Sequence, residues 1–254
     1  MANIEIPITE NGTTTLVTAG KYCDRNIDVN VNTPDRYEDG KQAEYDAFWN
    51  AFQKNGERTY YYYGFCGTGW NKDNFKPKYP IKVVGNAEAI FRRFDFHNGD
   101  TTNLVDLSPL NIDWSGCTSL QYAFLTAKLE DTGLVDATGC TTLNNTFVNE
   151  SSGCIKKITL RVHEALKYST PIGKQPMLTD LIFTEDSVIG NSGWDLSASP
   201  LLSKASVQSI INALSSTATG KSITLPTAAK TNHFTDAEWN ALVGTKSNWT
   251  ISLV

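Results

Sequence analysis

With 254 residues, 40% of them apolar and 19% charged, the chain can bury a substantial core as one elongated domain or two compact ones. A formal net charge of −5 argues against a nucleic-acid partner, which usually needs a basic face, and Lys156, Lys157 and Arg161 are too few to build one. No apolar run approaches the ~18 residues that cross a bilayer, and the opening MANIEIPITENG lacks the basic and apolar regions of a secretory signal, so folding in the cytoplasm without membrane insertion is expected.

Residues 1 to 34 read as a small antiparallel β segment. Ile4 and Ile6 alternate with polar neighbours, Asn11-Gly12 marks a tight turn, Leu16 and Val17 follow, and Ile27, Val29 and Val31 alternate before Pro34. So few apolar residues make a marginal module, with a physical motive to pair its edges with a partner chain.

Residues 35 to 80 begin with a different period. Tyr45, Phe48, Trp49 and Phe52 fall at i, i+3, i+4 and i+7, with Asp35, Glu38 and Asp39 near the start and Asn55-Gly56 at the end, which predicts an amphipathic helix. Its aromatic face suits a cap over the end of a repeat array. An aromatic loop follows, where Tyr60, Tyr61, Tyr62, Tyr63 and Trp70 are the candidate ligand-binding residues, because such rings stack on sugars. Packing of those rings between the cap helix and the first repeat is the competing and favoured reading.

Residues 81 to 254 carry the repeats, with the first strand expected at 81 to 84. IDWSGCTSLQYAF recurs as VDATGCTTLNNTF: Asp113, Gly116, Cys117, Thr118, Leu120 and Phe124 return 23 residues later as Asp136, Gly139, Cys140, Thr141, Leu143 and Phe147. Leu107, Leu110 and Ile112 fit L-x-x-L-x-L, as do Ile155, Ile158 and Leu160, and Leu178, Leu181 and Phe183. With Val135, the last positions form a ladder at 112, 135, 160 and 183. The five cysteines (Cys23, Cys66, Cys117, Cys140 and Cys154) are an odd number in a long chain and are expected to be free, Cys117 and Cys140 as small core residues.

The GCT-x-L copies and the L-x-x-L-x-L strands resemble the BspA-like leucine-rich repeats of bacterial surface proteins over residues 81 to 190. That resemblance implies an α/β fold: a degenerate leucine-rich-repeat-like solenoid of parallel strands and helices, preceded by the antiparallel β segment and the cap helix. Glu130 and Gly133 stand where apolar residues should be, and residues 184 to 202 break the period like an inserted loop.

The C-terminal part restores order with a longer unit. Ser203 caps a helix whose face is Val207, Ile210, Ile211 and Leu214, and Ile223 and Leu225 make a strand. Thr235 and Glu238 form a capping box flanked by the staple pair Phe234 and Trp239, the helix ends at Gly244, and Ile251 and Leu253 make a last strand. Ile223 and Leu225 precede Ile251 and Leu253 by 28 residues, so two helix-strand repeats and a parallel sheet are expected.

ITENGTTTLVTAGKYCDRNIDVNVNTP, YDAFWNAFQKNG with GTGWNKDNFKPKY, and the closing LSKASVQSIINALSST and FTDAEWNALVGTKSNWTISLV are together similar to tail-tip or fibre proteins of prophages in Gram-positive bacteria. The resemblance implies a virion structural protein attached to other virion proteins through residues 1 to 34, with a host-surface glycan or protein as its target. It also implies a homo-oligomer, a trimer by analogy with fibres.

Chemical motifs are weak. Residues 215 to 222, SSTATGKS, lack the first glycine of a phosphate loop and join a helix to a strand, the reverse of the required order. Gly64, Gly67 and Gly69 lack the strand and helix of a dinucleotide site, and His97, His163 and His233 show no metal-ligand spacing and read as solvated. Asp113 and Asp136 could line up as a carboxylate ladder for a cation or for glycoside hydrolysis, but capping of turns at strand ends is favoured. The sequence therefore predicts a non-enzymatic protein with no cofactor, metal or catalytic residues, located in the virion. A BspA-like surface adhesin is the alternative, followed by a carbohydrate-active enzyme.

Overall fold

The computed structural model describes residues 4–10, 13–19, 72, 82–94, 101–150 and 154–254. Strands β1 (Ile4–Glu10) and β2 (Thr13–Ala19) pair antiparallel and close at Glu10↔Thr13, on either side of the Asn11-Gly12 expected to turn. The strand expected over residues 27 to 31, the cap helix within residues 35 to 55, and Cys23, Cys66 and His97 lie outside the described residues.

From residue 82 onward the strands pair in parallel. β3 (Lys82–Asn86) lies beside β5 (Asp113–Ser119), while β4 (Val105–Asp106), β6 (Lys128–Asp136), β8 (Cys154–Arg161) and β10 (Asp180–Phe183) form one sheet in that order. β7 (Phe147–Val148) pairs with β9 (Ile172–Gly173), and β11 (Trp194–Asp195), β12 (Lys221–Leu225) and β13 (Trp249–Leu253) form a further sheet. Paired residues are separated by 23 positions at Leu160↔Phe183 and by 33 at Asn86↔Ser119. With helices α1 (Lys204–Ala213), α2 (Thr227–Thr231) and α3 (Asp236–Gly244), the described residues make an α/β structure of mostly parallel strands and few helices.

The repeat is one of backbone conformation as well as of residues. Ala89, Tyr122 and Asn145 all have positive φ (60°, 57° and 53°), and the chain bonds across at these levels: Ala89 N donates to Gln121 O and Tyr122 N to Asn144 O, each at 3.1 Å. Inside these turns the phenylalanines form a column. Phe91 stacks on Phe124 with centroids 5.1 Å apart, and Phe124 stacks on Phe147 at the same distance. Each such pair contributes roughly 0.5–1.5 kcal/mol beyond its buried area. Ile155, Ile158, Leu160, Leu178 and Leu181 continue the core, all fully buried.

Three of the four ladder positions stack as expected, since Val135↔Leu160 and Leu160↔Phe183 are register pairs. Ile112 does not join them. It leads into β5, which pairs with β3, and Leu107 to Leu110 is not a strand. Pro109 there has no N–H for a ladder, so residues 108 to 110 form a 3₁₀ turn closed by Asn111 at φ 46°. Residues 184 to 202 also differ from the inserted loop expected: Ile189, Trp194 and Leu196 are buried, Ile189 bridges Leu214, and Trp194 pairs with Ile223. The period is hidden because the pairing segments are only one or two residues long.

The misfit at Glu130 and Gly133 has a cause. β6 spends three residues between Asp131↔Lys157 and Leu134↔Thr159 where β8 spends two, a one-residue bulge with Gly133 at φ 63°. Glu130 meets Lys156 at 2.7 Å.

The C-terminal helices follow their sequence signals. Ser203 accepts from Ser206 N, the Thr235–Glu238 capping box is complete, and the Phe234 and Trp239 rings pack 5.8 Å apart. α2 escapes sequence detection because TAAKT has no apolar period; it follows Pro226 and buries only Ala229. The β12–β13 register pairs Ile223↔Ile251 and Leu225↔Leu253 as the 28-residue spacing predicts.

α1 takes the place that a further strand would occupy beside β10. Leu181 N donates to Ser206 Oγ at 2.9 Å and Phe183 N to Ser209 Oγ at 2.8 Å, while the same hydroxyls donate to the carbonyls of Leu181 and Phe183 at 3.2 and 3.4 Å. Serines three apart on one helix face match main-chain groups two apart on the strand. The edge of β10 is thereby satisfied without another strand.

Candidate functional site

The outward side of the β4–β6–β8–β10 sheet gathers the polar residues that its strands do not bury. The alternation of β8 places Ile155, Ile158 and Leu160 in the core and leaves Lys157 exposed. Register then sets Asp106 beside Asp131, Asp131 beside Lys157, and Lys157 beside Asp180, a row of three carboxylates and one ammonium across four strands. Leu134, Thr159 and Ile182 make a second row. Two residues further along β8, Arg161 is opposite Asp136, 3.4 Å from its carboxylate, and pairs with Asp186. Purely parallel sheets are usually covered on both faces; here one face carries a charged row that is accessible to solvent.

Two of the three acids are held by their local backbone, while Asp180 accepts from the hydroxyls of Thr179 and Ser203 at 3.0 and 2.7 Å. Asp106 accepts from Ser108 N and Asp131 from Gly133 N, both at 2.8 Å, and Thr132 donates to Gly133 O. Burial raises the pKa of Asp131 above its ordinary value; the Gly133 amide opposes that shift, and the charges of Asp106 and Asp180 add to it against Lys157. Beside this pair, Leu107, Ser108, Asn111, Ile112, Thr132, Gly133 and Leu134 line a cleft of about 190 Å³. Gly133 is needed here, since a Cβ would lie 3.0 Å from Ser108 Cα and φ is positive. Leu134, on the rim, is 45% exposed. The arrangement presents carboxylates, one amine and aliphatic side chains in fixed rows.

Tyr60, Tyr61, Tyr62, Tyr63 and Trp70 lie outside the described residues. Asp113 and Asp136 hold turns, accepting from Ser115 N and Thr138 N at 2.9 Å, although Asp113 starts β5 rather than ending a strand. His163 and His233 are not freely solvated: both are half-buried, with Nε2 3.3 Å from Cys140 O and 2.7 Å from Leu202 O. In residues 215 to 222, the Ser215 hydroxyl is engaged by the Glu164 carboxylate and by the amides of Thr217 and Ala218. A carboxylate in that place repels phosphate.

The charged row was accessible to sequence reasoning through one signal. Asp106, Asp131, Lys157 and Asp180 follow one another at 25, 26 and 23 residues, close to the 23, 25 and 23 of the apolar ladder, with the β6 bulge adding one residue to the Asp131–Lys157 interval relative to Val135–Leu160. Extending the ladder to polar positions finds them. Comparison with known proteins finds no matching family model, no matching curated protein and no matching solved structure.

Proposed function

We propose that this chain is a non-enzymatic structural protein of a phage particle, a tail-tip, fibre or receptor-binding component. In this reading residues 1 to 34 attach it to other virion proteins, residues 35 to 80 cap the array, and residues 81 to 254 are a degenerate leucine-rich-repeat-like solenoid. The observation that carries the proposal is the parallel pairing of successive segments with the Phe91, Phe124 and Phe147 column inside and the Asp106–Asp131–Lys157–Asp180 row outside. Such an array offers an extended surface, and many weak contacts on an oligomeric particle give avidity without a deep pocket. The β1–β2 hairpin supports the attachment role, because a two-stranded unit is marginal until a partner covers it.

The test is the composition of purified particles. Mass spectrometry of virions from an induced host should find this chain in fixed ratio to tail proteins, and antibodies against it should label the tail by electron microscopy. Its recovery only from the bacterial cell wall would refute the phage reading in favour of a surface adhesin. Light scattering of the full chain and of a chain starting at Asp35 tests attachment: equal numbers of copies in both would remove the first segment from assembly.

A further inference from the structure

Cys117 and Cys140 occupy the same place in the two GCT-x-L copies and face each other as free, buried thiols with Sγ atoms 3.6 Å apart. The segments that carry them are direct neighbours. Thr141 N donates to Thr118 O at 2.9 Å, and Leu120 N to Thr142 O at 3.2 Å. Adjacent parallel segments run ~4.8 Å apart, inside the ~4.4–6.8 Å Cα separation that a disulfide spans. Gly139 permits this approach, because a Cβ there would meet Cys117 O at 2.8 Å.

The pair is also polarised. Cys140 Sγ donates to Cys117 Sγ and to Cys117 O, both at 3.6 Å. Receiving that hydrogen bond lowers the pKa of Cys117 against the opposing effect of burial, and giving it raises that of Cys140, with burial adding to the rise. Cys117 Sγ in turn donates to Ser119 O at 3.4 Å, so the two thiols form one hydrogen-bonded chain ending on the main chain.

We infer that Cys117 and Cys140 are a latent disulfide that closes when a peroxide reaches them, stapling two neighbouring repeats. The Cys117 thiolate attacks one oxygen of hydrogen peroxide and the O–O bond breaks. The departing hydroxide takes up the proton that the Cys117 thiol released on ionising and leaves as water, and Cys117 becomes a sulfenic acid. The Cys140 sulfur then attacks Cys117 Sγ, the S–O bond breaks, and the hydroxide leaves with the Cys140 proton as a second water. Two thiols and one peroxide become one disulfide and two waters, the sulfurs giving up the two electrons that the peroxide accepts. A small oxidant suits a pair whose residues are 1% and 3% exposed better than a bulky disulfide reagent does.

The test uses the full chain treated with hydrogen peroxide at concentrations that leave its circular dichroism unchanged, then alkylated in denaturant and digested with trypsin. Residues 94 to 128, which hold Cys117, should be recovered joined to residues 129 to 156, which hold Cys140 and Cys154. Two of the five thiols should disappear. The melting midpoint should rise by roughly 10 °C, as expected for closing a loop of this length in a chain of this size, and return on reduction with dithiothreitol. The inference is overturned if the two fragments stay separate, if Cys140 is found linked to Cys154 instead, or if Cys117 accumulates as a sulfinic acid.

Discussion

Replacing Ser206 with alanine tests whether hydroxyl groups of a helix close the edge of β10. Ser206 is fully buried, and its Oγ accepts from Leu181 N at 2.9 Å and donates to Leu181 O at 3.2 Å. Alanine leaves a buried N–H without a partner, which costs about 1–3 kcal/mol. It also improves helix propensity by about 0.5 kcal/mol. The net loss should be about 0.5–2.5 kcal/mol, and each kcal/mol lowers the melting midpoint of a chain this long by about 2–4 °C. Ser209→Ala should cost less, because Ser209 is half-buried and water can replace its hydroxyl. Gln208→Ala, on the exposed side of the same helix, controls for propensity. Denaturant and thermal melts followed by circular dichroism give the stabilities, and hydrogen exchange at Leu181 gives the local effect. A Ser206→Ala chain that melts with the Gln208→Ala control and protects the Leu181 amide equally well would refute the edge-closing role.

Other perturbations probe different joints. Gly139→Ala should destabilise the chain by about 1–3 kcal/mol in denaturant melts, because its Cβ would meet the Cys117 carbonyl at 2.8 Å and that neighbour is main chain; a neutral result would mean the segments part without cost. Glu238 has its pKa lowered to about 2, first by the Thr235 amide, then by the Thr235 hydroxyl and Lys204. Its contribution is therefore complete above its ordinary pKa of 4.5 and lost as pH falls from there to about 2, so Glu238→Gln should flatten the acid side of the stability profile across that window. Asp131 has the opposite sign. With its folded pKa raised, its contribution is fully present below the ordinary value of 3.8 and is lost as pH rises through the folded pKa. Asp131→Asn, which can still accept from Gly133 N, should melt higher than the parent at neutral pH and equally below that ordinary value.

The elements legible in the sequence were those whose signals are local. The Ser203 cap, the Thr235–Glu238 box and the 28-residue match of β12 to β13 are written in a few adjacent residues or in an undisturbed spacing. What stayed hidden depends on a neighbour far along the chain. Leu107, Leu110 and Ile112 look like a strand, yet Pro109 and the left-handed Asn111 turn them into a 3₁₀ segment. Residues 184 to 202 look like an insertion because Trp194 and Ile189 pair through segments too short to show a period. Gln175 gives no sequence signal at all. It is fully buried, bonding Phe147 O at 2.7 Å and Ile155 N at 3.2 Å, so its role exists only once three segments have met. The charged row was half-legible, since its spacing is regular but its members differ in sign.

The serine contacts between α1 and β10 differ in kind from the bonds between paired strands. Main-chain hydrogen bonds between neighbouring segments survive almost any substitution, because every residue except proline supplies the same N–H and C=O. At α1 the bonding groups belong to side chains. A single codon change at Ser206 can therefore open or reseal this joint while leaving the strands on either side chemically intact.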